Sequence, residues 1–122
     1  MKKPIDVYRL LKVLKRFEGQ AINTYNGKPN KIIEVYLESM SVGSTRSPKG
    51  EPVSMEDIRE ALETLIEKGE IDIHHASPRS YRRSFVVALL LNLPGVEKDP
   101  NVAGAVISDR AALESVVYAE GV

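Results

Sequence analysis

Seven apolar residues stand in a row from Phe85 to Leu91, FVVALLL, the longest such run in the chain. A run of this kind must leave water, and the rest of the chain has to fold around it. Two readings compete. As a strand, it would be covered on both faces. As a helix, it has a start at Ser77-Pro78, an N-cap residue followed by a first-turn proline, and an abrupt stop at Leu93-Pro94-Gly95. Sixteen residues lie between those signals, which suits a helix better than a strand. The expectation is a helix from about Pro78 to Leu93, with its second half in the core. Seven residues fall far short of the roughly 20 needed to cross a bilayer.

The remaining elements arrange themselves around this one. A first helix is expected from about Pro4 to Phe17, because Val7, Leu10, Leu11, Leu14 and Phe17 gather on one face. Residues 20–53 are ambiguous. Asn26-Gly27 signals a turn, and Lys31–Val35 followed by Met40 and Val42 reads as two short strands around Leu37-Glu38-Ser39. Helical spacing of Ile32, Ile33, Tyr36, Leu37 and Met40 competes, and strands are preferred. Ser44 to Pro52 reads as a loop. A second helix starts at Ser54, with Asp57 in a capping-box-like position, and closes at Gly69. Its buried stripe is Ile58, Ala61, Leu62, Leu65 and Ile66. A short strand at Glu70–His74, another at Ala105–Ile107 and a last helix capped by Ser108 complete the reading. The fold class expected is α+β, with three to four helices and a small hairpin or sheet. Residues 1–98 form the domain, and residues 99–122 a C-terminal extension packed on it or used in assembly.

Leu, Ile, Val and Phe make up 35 of the 122 residues, enough for a core and too many for a disordered chain. Net charge is zero, with 17 cations and 17 anions, so the total points to no partner. The distribution is more telling. Residues 1–49 hold ten Lys/Arg against four Asp/Glu, and residues 50–76 hold two against eight. Residues 77–98 are again basic, and the end is acidic. Partners feel such local potentials. Cysteine is absent, which excludes a disulfide framework, a thiolate metal site and a cysteine nucleophile. With Asp6, Arg9 and Lys12 interrupting any apolar leader, a soluble cytoplasmic protein with no membrane partner is the expectation.

Chemistry-bearing motifs are few. The only histidines, His74 and His75, are neighbours that would point to opposite faces of a strand and cannot share a metal. Asp72 and His74 could share a face, but no nucleophile or second carboxylate is placed with them by any motif. No catalytic activity, metal or cofactor is expected. The carboxylates of the second helix (Glu56, Asp57, Glu60, Glu63, Glu67) read as a solvated polar face, and one that would repel phosphates. More informative is the start of the third helix. Arg79, Arg82 and Arg83 fall within a 100° sector there, where N–H groups and the helix dipole favour an anion, and Ser80 and Ser84 add hydroxyls. The competing reading pairs these arginines with the acidic face of the second helix. The polar loop Ser44–Gly50 supplies a second candidate site through Arg46, Ser47 and Lys49. Arg9, Lys12 and Arg16 could extend the footprint, and Tyr25 and Tyr81 are candidate stacking residues.

TRSPKGEPVSMEDI at 45–58 and SYRRSFVVALLLNLPGV at 80–96, together with GKPNKIIEV at 27–35 and ALETLIEKGEI at 61–71, resemble a small bacterial module fused to nucleases in restriction and defence systems. The similarity covers about residues 20–96. It implies a winged-helix-like fold and target binding rather than cleavage, with Arg46, Ser47, Arg83 and Ser84 at the matching positions and a nuclease or other defence protein as a possible partner. The sequence departs from a simple winged helix in two places: a helix is expected where the second wing strand would lie, and the most obvious helix is acidic. The leading expectation is a nucleic-acid-binding module, for double-stranded DNA, acting through phosphate contacts. The alternative is a protein–protein or homo-oligomerisation module using its oppositely charged faces.

Overall fold

Residues 29–43, ambiguous between helix and strand, form a hairpin. In the computed structural model, which describes residues 4–24, 27–75 and 82–119, Pro29–Val35 and Ser39–Gly43 pair antiparallel as β2 and β3. Ile32 faces Val42 and Val35 faces Met40 across the pair, and all four are buried. An irregularity between Ile32 and Glu34 adds one residue to β2, so that Ile32 and Val35, three apart, can both point inward. Ile33, Tyr36 and Leu37, which a helix would have aligned with the buried set, stay exposed.

Two strands unforeseen in this half complete a meander. Ala21–Asn23 (β1) pairs with β2, and Glu51–Ser54 (β4) pairs with β3, giving the order β1-β2-β3-β4. Pro52 is tolerated because β4 is an edge strand, where a missing N–H breaks no ladder bond. The β1–β2 connection closes at Gly27, whose φ of +76° lies in the left-handed region.

Met55–Lys68 forms α2 with the limits expected: Ser54 caps it and Gly69, at φ +80°, ends it. The Ser54 hydroxyl accepts from the Glu56 N–H (3.2 Å) rather than from the third residue of the helix, so the full capping box is not made. Met55, Ile58, Ala61, Leu62 and Leu65 are buried, whereas Ile66 is half-buried. The first helix, α1, is shorter than expected and spans Val7–Lys15. Asp6 starts it, not Pro4, because the Asp6 carboxylate takes the N–H groups of Tyr8 (3.0 Å) and Arg9 (3.2 Å). Likewise Arg110–Val117 (α4) is capped by Asp109, whose carboxylate accepts from Ala112 N–H at 3.1 Å, not by Ser108.

A second, three-stranded sheet follows α2. Glu70–Asp72 (β5), Val96–Lys98 (β6) and Gly104–Ile107 (β7) assemble in the order β5-β7-β6, all antiparallel. β5 gives way to a 3-10 turn at Ile73–His75, so the expected strand is two residues shorter. β6 was not foreseen. β7 lies between its two neighbours, and Leu113 and Val117 of α4 are buried in the same core as the rest. The first and last helices meet: Asp6 N–H donates to Val117 carbonyl oxygen (2.9 Å), and Arg9 donates to that of Ser115.

Between the sheets runs α3, Arg83–Leu90, the helix that the apolar run demanded. Phe85 through Leu90 are all buried, and burying each of the Phe, Val and Leu side chains among them contributes about 1.5–3 kcal/mol. Residues 76–81, with the expected start at Ser77-Pro78, lie outside the described residues. Arg82, at φ −99° and ψ 34°, is a non-helical cap, so the expected continuous helix from Pro78 is corrected to one that begins at Arg83. The expected end at Leu93 falls three residues beyond the α-helix, in a turn completed by Gly95 at φ +78°. The architecture is α+β, with four helices and two small antiparallel sheets among the described residues. Among the described residues, no helix is long and apolar enough to cross a membrane.

Candidate functional site

Three connections converge at one end of the four-stranded sheet: the β1–β2 turn, the β3–β4 loop and the start of α3. They enclose a groove with a cavity volume of about 630 Å³. The β1–β2 side contributes Thr24, Lys28, Pro29 and Asn30. The β3–β4 loop contributes Ser44, Thr45 and Arg46, and α3 contributes Arg82, Ser84 and Phe85. Three cations thus reach the groove from three separate elements, with three hydroxyls from Thr24, Ser44 and Thr45 and one from Ser84. Lys28 and Arg46 are exposed. Phe85 is buried and forms apolar floor, which fixes the start of α3 in place.

Beneath the rim lies a chain of polar contacts. The Asn30 side chain is buried, at 6% exposure, and its amide donates to the Lys28 carbonyl at 3.1 Å. Its oxygen accepts from Arg82 Nη1 at 3.3 Å. Arg82 Nη2 donates to Glu51 Oε2 at 2.9 Å, an ion pair in which the arginine side chain is 14% exposed and the glutamate 42%. The other Glu51 oxygen accepts from the Ser47 hydroxyl at 2.6 Å. Ser47 in turn closes the loop: its N–H donates to Ser44 Oγ (3.1 Å), and its carbonyl accepts from Ser44 and Gly50 N–H. The Ser47 hydroxyl, with the Arg82 guanidinium behind it, holds the Glu51 carboxyl below its ordinary range.

The residues expected to form a site are therefore divided. Arg46, Arg82 and Ser84 line one groove. Arg83, the first residue of α3, is half-buried and lies outside the groove lining. Ser47 faces inward onto Glu51, so it acts as a strut of the loop rather than as a ligand donor. Lys49 is exposed on the same loop but outside the lining. Arg79, like Ser80, Tyr25 and Tyr81, lies outside the described residues. Of the arginines that the competing reading pairs with the acidic face of α2, Arg82 pairs instead with Glu51 of β4, from the same acidic block of sequence, while Arg59 takes Glu56 (3.9 Å) and Glu63 (2.8 Å) within α2.

No protein-family model, no curated protein and no solved structure matches this chain. The groove must be read from its own chemistry.

Sequence reasoning missed Lys28 and Asn30 as site residues, although both stand in the GKPNKIIEV segment. It also missed Glu51 and Thr24. Only the meander brings these four beside α3, and no local spacing announces that convergence. At the other candidate pair, the Asp72 carboxylate accepts from the His74 backbone N–H at 2.8 Å, a local turn, and His74 is exposed. Among the described residues, no three His, Cys, Asp or Glu side chains are grouped so as to hold a metal ion.

Proposed function

We propose that this chain binds nucleic acid, double-stranded DNA in the first place, by taking backbone phosphates in the groove between the β1–β2 turn, the β3–β4 loop and the start of α3. The observation that carries the reading is the convergence of Lys28, Arg46 and Arg82 on one concavity rimmed by Thr24, Ser44, Thr45 and Ser84. Hydroxyls and cations from separate elements are the donors that phosphate oxygens accept, and they position a backbone without reading bases. Base readout by inserting α3 into a groove is disfavoured, since Phe85–Leu90 are buried and only the start of the helix reaches the surface. The reading is one of binding, not of catalysis.

The winged-helix-like expectation stays part of the proposal. From α2 onward, helix, strand, helix and a closing hairpin succeed one another, with β7 inserted between β5 and β6. That succession supports the resemblance to modules of restriction and defence nucleases, whose nuclease would be the partner. Docking of the acidic α2 onto a second copy starts from a weaker complement, because Arg59 already offsets Glu56 and Glu63.

Fluorescence anisotropy with a labelled short duplex, a matching single strand and unrelated competitor DNA tests the proposal. Dissociation constants of about 10⁻⁴–10⁻⁶ M are expected at physiological salt and lower ones at low salt, with the logarithm of affinity falling against the logarithm of salt by about 0.9 per phosphate engaged. No binding of either nucleic acid at low salt overturns it.

A further inference from the structure

We infer that Glu51 is a positioning residue of the groove, so that removing this negative charge weakens phosphate binding instead of strengthening it. The inference rests on the phosphate-binding reading above and adds to it a residue whose effect has the opposite sign from simple charge counting. Coulomb's law alone makes a carboxylate beside Arg82 and Arg46 a liability in an anion site. The geometry assigns it another task. One oxygen holds the Ser47 hydroxyl at 2.6 Å and the other holds Arg82 Nη2 at 2.9 Å. Ser47 is the pivot of the 44–50 loop, which carries Arg46 next to it, and Arg82 is the N-cap residue of α3. Through Arg82 the chain continues to Asn30 and the Lys28 carbonyl. One carboxylate therefore ties the loop wall to the helix wall, and Asn30 ties both to the turn wall.

Without Glu51 the loop loses its anchor, and Arg46 becomes one rotamer-rich side chain on a mobile support. Ordering it on a ligand then costs conformational entropy that the folded protein has already met. The groups facing Glu51 are Ser47, Arg82 and Arg46. Glu51 sits behind the groove rather than on its lining, and among the described residues no carboxylate lines the groove itself.

The test is the affinity of the intact chain for the labelled duplex, over a salt series, for wild type, Glu51→Gln, Glu51→Ala and Ser47→Ala. Each variant is first checked for folding by circular dichroism. Wild type is expected to bind tightest. Glu51→Ala should be weaker by roughly five- to tenfold at about 0.1 M salt, the weight of one phosphate contact, with the slope reduced by up to about 0.9. Glu51→Gln keeps the shape and one acceptor, and should recover part of the loss. Ser47→Ala leaves every charge in place and should still bind less tightly. Should Glu51→Ala not fold, Glu51→Gln and Ser47→Ala decide the matter. Equal or tighter binding by the Glu51 variants, beside a wild type that binds, overturns the positioning role and leaves the groove reading intact. A wild type that does not bind the duplex overturns both.

Discussion

The two ends of α3 obey different physics. From Phe85 to Leu90 every side chain is buried, and the surroundings are apolar. At Arg82–Ser84, one turn earlier, all three residues are half-buried, and the capping position is held by an ion pair instead of a capping side chain. The buried end depends on packing and is indifferent to salt or pH. The polar end depends on a neutral amide from β2, Asn30, and on an ionised carboxylate from β4, Glu51. One rigid helix thus converts the stability of the core into fixed placement of a charge at the rim of the groove. The difference also restricts what the helix can do: it can offer its tip to a ligand, not its side.

Truncating the buried end should have the largest effect. Leu90→Ala removes a fully buried side chain, and a loss of roughly 2–5 kcal/mol is expected. Urea unfolding followed by circular dichroism reads this as a lower midpoint. An unchanged midpoint with an unchanged slope would place α3 outside the core and erase the contrast between its ends.

The next effect is one of binding with almost no change in stability. The side chains of Lys28 and Arg46 are exposed on the groove, and only the backbone carbonyl of Lys28, which a substitution leaves in place, joins the polar contacts beneath it. Replacing both by Ala should reduce the salt slope for duplex binding by up to about 1.8, two contacts of about 0.9 each, with stability within about 0.5 kcal/mol of wild type. Arg82→Ala sharpens the comparison. It should lose affinity and also stability, since it strips Glu51 and the buried Asn30 of a partner. A double variant that binds normally would move the phosphate site away from this groove.

Much of the fold could be read where one period or one cap dominates. Ser54, the buried stripe of α2 and Gly69 act within a single element, so their local signals suffice. The apolar run forced a buried helix for the same reason. β1 and β6 were illegible because each has three residues, too few for any period to show, and each exists only through its neighbour's hydrogen bonds. Helix starts went astray where two capping residues competed: Asp6 lies two residues past Pro4, and Asp109 follows Ser108. Of the groove, Arg46, Arg82 and Ser84 were legible as charge and hydroxyl clusters. Lys28 and Asn30 were not, because the meander carries them to α3 across fifty residues of sequence. Ser47 shows the converse, a residue of suitable chemistry that the fold turns inward onto Glu51.

The smallest effect predicted is acid sensitivity of the polar end. The Glu51 carboxyl is held below its ordinary value of 4.5, first by the Ser47 hydroxyl and then by the Arg82 guanidinium. Because the folded protein binds this proton less readily than the unfolded chain, ionised Glu51 stabilises the fold. That contribution is fully present above the ordinary value and is lost as pH falls through the lowered one. Partial desolvation of the carboxyl works against this lowering, and the wild-type curve sums over all of the protein's carboxylates, so it alone does not isolate Glu51. The difference between wild type and Glu51→Gln does. Urea midpoints of the two proteins should be separated by a small constant amount from neutral pH down to about pH 5, and should draw together below that. A separation that persists unchanged well below the ordinary carboxylate range would mean that Glu51 is not titrating there. The tie between the loop and the tip of α3 would then owe nothing to its charge.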